Sequence, residues 1–232
     1  MARAARILST VLITAGLVVL ADVGVTLAYK EPISSLYGEL QQNEAEDQLA
    51  DLESRYPSAA DLAAIRRVRG TDRKAQVLAR RFADQAAEGE AIGRIVAPDM
   101  GANAVFVQGT QTASLRKGPG HYPDTGFPGQ GETIGIAGHR TTYLAPFRHI
   151  DDMERGDRVT LEMPYGTFTY RVEKTAIVDD SAVGVVRDVG YERVVLTACH
   201  PLYSAAQRYV IFARLADIAI FDAARGGRFQ AN

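Results

Sequence analysis

Val194-Val195-Leu196-Thr197-Ala198-Cys199-His200-Pro201, followed across Leu202–Gln207 by Arg208-Tyr209-Val210-Ile211-Phe212-Ala213-Arg214, is the stretch on which the fold turns. The first run is apolar and β-branched, which reads as a buried strand, and Pro201 stops it because proline cannot donate to a ladder. The second run reads as the strand that follows. If one strand ends at Cys199 and the next begins at Arg208, the intervening loop brings thiol and guanidinium to the same rim.

Working outward, the chain after Glu90 holds further short runs of β texture: Ile92–Val96, Ala104–Val107, Glu132–Ala137, Arg158–Met163, Thr167–Val172, Arg193–Thr197 and Arg208–Leu215. Gly/Pro loops such as Lys117-Gly118-Pro119-Gly120 separate them, which points to a closed antiparallel barrel or a sandwich. The stretch from Ala91 to Leu215, about 125 residues, is long enough to bury roughly two thirds of its surface as one unit. Residues 216–232 carry Arg225-Gly226-Gly227-Arg228 and read as a flexible tail.

Upstream, within residues 30–90, the chain from Glu39 to about Glu90 is rich in Ala, Glu, Asp, Arg and Leu, with few β-branched residues. Thr71 and Asp72 mark a helix start, and Val77, Leu78 and Phe82 give one apolar edge. This region reads as a helical stalk with one helix packed on the barrel. Before it, Ile7–Tyr29 is apolar over a bilayer's width and interrupted only by Asp22. Arg3 and Arg6 precede it, so residues 1–6 are expected in the cytoplasm and the body outside. A cleaved signal peptide competes, with Val19-Leu20-Ala21 as its site, but the apolar pattern resumes at Val23 and favours an uncleaved anchor.

Composition narrows the classes. The 232 residues are 47% hydrophobic and 23% charged, which argues against a disordered or collagen-like chain. A net charge of −2 offers no footprint for nucleic acid. The lone cysteine, Cys199, rules out an intramolecular disulfide and a Cys-rich zinc cage.

A nucleophilic cysteine needs a base and an oxyanion donor. Of four histidines, His200 adjoins Cys199, but neighbours on a strand point to opposite faces. His139 is better placed, after a strand and beside Gly138, whereas His121 and His149 lie in loops and read as solvated. Arg208 cannot serve as a base near neutrality but can donate to an oxyanion. Zinc held by Cys199, His139 and His200 matches no ligand spacing, and the pairs Asp151-Asp152 and Asp179-Asp180 lack a calcium loop's pattern. No metal or cofactor is expected.

Cys199, His139 and Arg208, with their surroundings, resemble the sortases, membrane-anchored cysteine transpeptidases of Gram-positive bacteria, and most closely class E. The matching stretches are Lys117-Gly118-Pro119-Gly120-His121-Tyr122, Pro128-Gly129-Gln130, Gly138-His139-Arg140-Thr141-Thr142, Gly156-Asp157, Pro164-Tyr165-Gly166, Leu196-Thr197-Ala198-Cys199-His200-Pro201 and Gln207-Arg208. The family's Thr-Leu-x-Thr-Cys signature is departed from at Val195 and Ala198. The resemblance implies an eight-stranded β-barrel over residues 91–215 with the active site at one end. It implies Cys199 as nucleophile, His139 as acid and base, Arg208 on the oxyanion, and Thr197, Ala198 and Thr141 near the substrate. The implied substrates are secreted proteins bearing a Leu-Ala-x-Thr-Gly sorting signal, cut between Thr and Gly, with a peptidoglycan-precursor amine as acceptor. Two other readings share the composition: a membrane-tethered binding barrel without catalysis, and a different exported cysteine enzyme of the cell wall, such as an L,D-transpeptidase.

Overall fold

The computed structural model describes residues 2–28 and 32–221. Helix α1 (Ala2–Ala28) contains Arg3–Gly24, a stretch with mean hydropathy 2.1 and no burial against the rest of the chain. By length and composition it can cross a bilayer.

Eight strands follow in the body: β1 (Ala91–Ala97), β2 (Ala102–Gln108), β3 (Gly120–His121), β4 (Thr133–Gly138), β5 (Arg158–Met163), β6 (Gly166–Asp179), β7 (Arg193–His200) and β8 (Gln207–Ile220). They close into a barrel in the order β1-β2-β3-β4-β7-β8-β6-β5. The barrel is not wholly antiparallel as expected, because β2–β3 and β4–β7 pair in parallel. The parallel β4–β7 pair arises because the chain leaves β4, builds the β5–β6 hairpin, and only then returns as β7.

Two strands run on past their expected ends, β6 to Asp179 and β8 to Ile220, where Gly166 pairs with Ile220. Residues 216–220 are therefore ladder, not tail; residues 222–232 lie outside the described part. β3 falls within a stretch that reads as loop. Its two residues carry no β pattern of their own, and neighbours on both sides recruit them.

Side chains alternate across the wall as the pleat requires. Ile134 and Ile136 of β4, Val194, Leu196 and Ala198 of β7, and Ile211 and Ala213 of β8 enter the main core. Val195, Val210 and Phe212 take the opposite face and form a second cluster under Val185 and Val186.

The described part of the expected stalk, residues 32–90, does not stand free of the barrel. Helix α2 (Pro32–Arg55) lies along β1 and β2, burying Ala45 and Leu49, one turn apart, against Ala91 and Val105. Gln42 acts as an extra strand edge: its Nε2 donates to the carbonyls of Val105 (3.0 Å) and Lys117 (2.6 Å), and its Oε1 accepts from Val105 N–H (3.0 Å). Helices α3 (Ala59–Ile65) and α4 (Thr71–Ala83) plug the barrel end away from Cys199. There the Phe82 ring meets Tyr56 at 5.2 Å, Tyr165 at 5.3 Å and Phe127 at 5.8 Å. The polar residues of this region mislead because the apolar positions that matter are few and spread over three helices.

At the same end the buried Glu192 carboxylate accepts from Gly129 N–H (2.9 Å), Gly131 N–H (2.9 Å) and Tyr170 Oη (2.8 Å), fixing the loop before β4. Gly129 sits at φ 95°, a conformation glycine adopts freely.

His121 is fully buried, contrary to the solvated role expected of it. Its Nε2 lies 2.9 Å from the Gly126 carbonyl and its Nδ1 faces the Gln108 side-chain amide at 2.8 Å. Burial pushes its pKa down to about 4, against a partial offset from the Gly126 bond. The neutral ring is the folded form, so this stabilisation is complete above pH 6.5 and is lost as pH falls towards 4. The full loss is roughly 3 kcal/mol. Denaturant titrations of the whole chain in micelles are expected to show stability falling between pH 6.5 and about 4.5, with a visibly shallower slope in His121→Gln. Equal slopes in the two proteins would contradict a neutral, buried ring.

Candidate functional site

Three ladders assemble the site. In the antiparallel β7–β8 pair, Cys199 stands directly opposite Arg208. Both belong to the outward-facing set: Cys199 with Val195 and Thr197, Arg208 with Val210 and Phe212. In the parallel β4–β7 pair, Gly138 aligns with Ala198, so His139, one residue on, emerges beside Cys199. Neighbouring strands are about 4.8 Å apart, which brings the thiol, imidazole and guanidinium to one rim. Cys199, His139 and Arg208 are all partly exposed there.

The side chains have distinct surroundings. Arg208 Nη1 donates to the carbonyls of Ala205 (2.8 Å) and Gln207 (2.9 Å), which ties it to the β7–β8 loop and leaves its other N–H groups without a partner among the described residues. The His139 ring lies 5.2 Å from Tyr143. Its pKa is lowered, mainly by burial and secondarily by the Arg116 charge, so the neutral imidazole dominates near pH 7. The Arg116 guanidinium also sits 5.9 Å from the Tyr143 ring centre.

After His139 the chain folds back as a strap over residues 141–148. Tyr143, Leu144 and Ala145 occupy the left-handed region at φ 50°, 64° and 46°. Such conformations cost of order 1 kcal/mol each for non-glycine residues, so something must hold them. Phe147, fully buried, anchors one side: a Cβ on Gly138 would come within 2.4 Å of its ring. Helix α2 holds the other. Tyr37 meets Tyr143 edge-on at 6.1 Å, and a Cβ on Gly38 would lie 3.0 Å from Leu144 Cγ and Tyr143 backbone.

The residues expected near substrate separate. Thr197 stands on the outward face but is buried there, with its hydroxyl 2.9 Å from Tyr122 Oη. Thr141 is half-buried in the strap. Ala198 turns inward to the core at 3% exposure, so its side chain faces away from the rim, a correction that strand parity explains. Val195, the other departure from the family signature, packs apolar contacts under Val186.

His200 does not face the groove; its Nδ1 is 3.4 Å from Arg140 Nη1 and its ring 5.8 Å from Tyr209. His149 is exposed, with Nδ1 3.3 Å from Asp152. Asp151 is an ion-pair partner of Arg140. Among the described residues no three His, Cys, Asp or Glu side chains gather as a metal would require.

Sequence reasoning passes over Tyr122, Arg116 and Arg140 as contributors to the site. Arg116 comes near it only through the fold and carries no local signal, while Tyr122 closes the matching stretch Lys117–Tyr122. Arg140 likewise has a signal, its place between His139 and Thr141 in the family motif.

Replacing Arg116 with Gln removes a positive charge that disfavours imidazolium at His139. The NMR titration midpoint of His139 is expected to move to higher pH in Arg116→Gln. A downward or absent shift would contradict this electrostatic coupling.

Residues 95–216, just over half the chain, match the family described as Sortase domain. Sortase D of Bacillus subtilis is 35% identical over 130 residues, covering 54% of this chain and 64% of that protein's own length. The solved Clostridium perfringens Sortase D5 transpeptidase superposes with a TM-score of 0.60 at 19% identity, over 74% of this chain and 98% of the other. Sortase E of Streptomyces avermitilis does so at 0.54 and 28% identity, over 62% and 97%. Class E kinship is thus accompanied by kinship to class D. This chain belongs to the sortase family.

Proposed function

We propose that the protein is a membrane-anchored cysteine transpeptidase acting at the cell surface. The observation that carries this reading is the pairing of Cys199 with Arg208 on the outward face of β7 and β8, with His139 leaving β4 alongside.

The reaction follows from those groups. Cys199 Sγ attacks the carbonyl carbon of the scissile peptide while its proton passes to His139. Arg208, through the N–H groups its loop leaves unused, stabilises the oxyanion of the tetrahedral adduct. The C–N bond breaks, His139 protonates the departing amine, and the acyl group remains on sulfur as a thioester. A second amine attacks the thioester, gives its proton to His139, and releases Cys199. Peptide bond is exchanged for peptide bond, so no cofactor or oxidant is needed.

The substrate in this reading is a Leu-Ala-x-Thr-Gly-type sorting signal on a secreted protein, cut between Thr and Gly. It lies along the outward face of β4 and β7, near Thr197 and the Tyr122 ring. The acceptor is a peptidoglycan-precursor amine. α1 serves as the anchor, with Arg3 and Arg6 on the cytoplasmic side.

The whole chain in micelles is expected to cleave a quenched Leu-Ala-x-Thr-Gly peptide and, with an added amine, to form the exchanged amide. Cys199→Ala abolishes both. His139→Ala and Arg208→Ala each lower the rate by on the order of 10² or more. His200→Ala has a far smaller effect. Turnover by Cys199→Ala at the parent rate would discard the nucleophile, and inert wild-type protein would favour the tethered binding barrel.

A further inference from the structure

Arg140 is the residue whose position the reaction scheme leaves unexplained. Its side chain is 1% exposed, and burying a guanidinium is costly unless it is paired and hydrogen-bonded. It is both. Nη2 donates to Asp151 Oδ1 at 2.5 Å, and Nε and Nη2 donate to the Arg148 carbonyl at 3.3 Å each. Nη1 lies 3.4 Å from the Cys199 carbonyl and 3.4 Å from His200 Nδ1.

The two ends of this fork belong to different segments. Arg148 and Asp151 lie at the close of the loop that leaves His139, whereas Cys199 and His200 end β7. The β4–β7 ladder stops at Gly138 and Ala198, one residue before the imidazole and the thiol. Just where backbone pairing ceases, the Arg140 fork takes over, reaching across to the carbonyl of the cysteine itself.

Two details of the surroundings agree with this. Burial alone would raise the Asp151 carboxyl, but the hydrogen bond and charge of Arg140 outweigh it and hold it below its ordinary value, so the pair is ionised at neutral pH. Arginine can only donate, so His200 Nδ1 must accept. That occupies the one ring lone pair a base would use, and it separates His200 from His139 in role.

We infer that Arg140, braced by Asp151, is a positioning residue that fixes the approach of the His139 imidazole to the Cys199 thiol. The inference rests on the transpeptidase reading above for its kinetic consequence. Its geometric content can be read without that chemistry, because Cys199 is the chain's only cysteine and any thiol label reports on it alone.

The test uses the full chain in micelles with two gentle variants. Arg140→Lys keeps a buried cation but loses the fork, and Asp151→Asn leaves Arg140 in place while removing its brace. Misplacing a reacting group by about 1 Å costs up to roughly 10²-fold. Arg140→Lys is therefore expected to lower kcat for peptide cleavage by about 10- to 100-fold with KM within about 3-fold, and Asp151→Asn to lower it less. Iodoacetamide labelling of the folded proteins slows in the same order. Unchanged kcat and labelling per folded molecule, with only thermal stability reduced, would overturn the inference and leave Arg140 a structural ion pair. Should wild type cleave no peptide, the transpeptidase reading fails by itself, and the labelling ratio of variant to wild type still decides the positioning claim.

Discussion

A β-strand shows alternate residues to opposite sides, and the chemistry assigned to this protein hangs on the parity of one strand, β7. Val194, Leu196 and Ala198 enter the barrel, so Val195, Thr197 and Cys199 must leave it. Sliding β7 by one residue would expose the inward set and bury the thiol. Full burial of a Val or Leu side chain is worth about 1.5–3 kcal/mol, so the slip is opposed by several kcal/mol. β7 is also central, paired on both edges along its length, with β4 in parallel and β8 antiparallel. Each ladder then delivers one partner to the cysteine, the antiparallel one Arg208 and the parallel one the segment that carries His139.

The parallel ladder needs more support than the antiparallel one. β8 turns back at once after β7, so Arg208 is placed by a short loop. β4 is followed instead by a strap with three left-handed residues and a long excursion through β5 and β6. That excursion must be held down near its start, and three elements do so together. Phe147 anchors it in the core, α2 packs against Tyr143 and Leu144, and Arg140 ties it across the ladder's end. The N-terminal helix that follows the apolar span thus belongs to the architecture of the rim.

Legibility in the sequence follows the range of the physics. Strand texture, the stop at Pro201 and the turn to Arg208 are local, and they place the cysteine–arginine pair without coordinates. Strand texture leaves a closed barrel and a sandwich both open, and only the family resemblance decides for the barrel. The parallel pairing of β4 with β7 is not legible at all, since nothing local distinguishes a returning strand's neighbour. Residues 30–90 read as a stalk because the contacts that dock α2, chiefly Ala45, Leu49 and the Gln42 amide, are sparse on a charged helix. His121 misleads for a similar reason: its Gly/Pro surroundings look like loop, and only pairing with β2 and β4 draws it inside. Ala198 faces the core because parity governs side chains even beside a reactive residue.

The charge distribution gives the site its bias. Arg116 acts on His139, Arg140 lies against the Cys199 carbonyl, and Arg208 stands opposite the thiol. The carboxylate bonded within this group, Asp151, is committed to Arg140 and offsets that charge alone. In the proposed reaction negative charge develops on sulfur and then on an acyl oxygen at this rim, and fixed donors such as the Arg208 guanidinium would act there without reorganising. Burial, and after it the Arg116 charge, disfavours protonation of His139 and keeps its imidazole neutral. A cation beside a base is a poor arrangement for storing protons and a good one for passing them on, which suits the role proposed for His139, to receive one from the thiol and surrender it to a leaving amine within a single turnover.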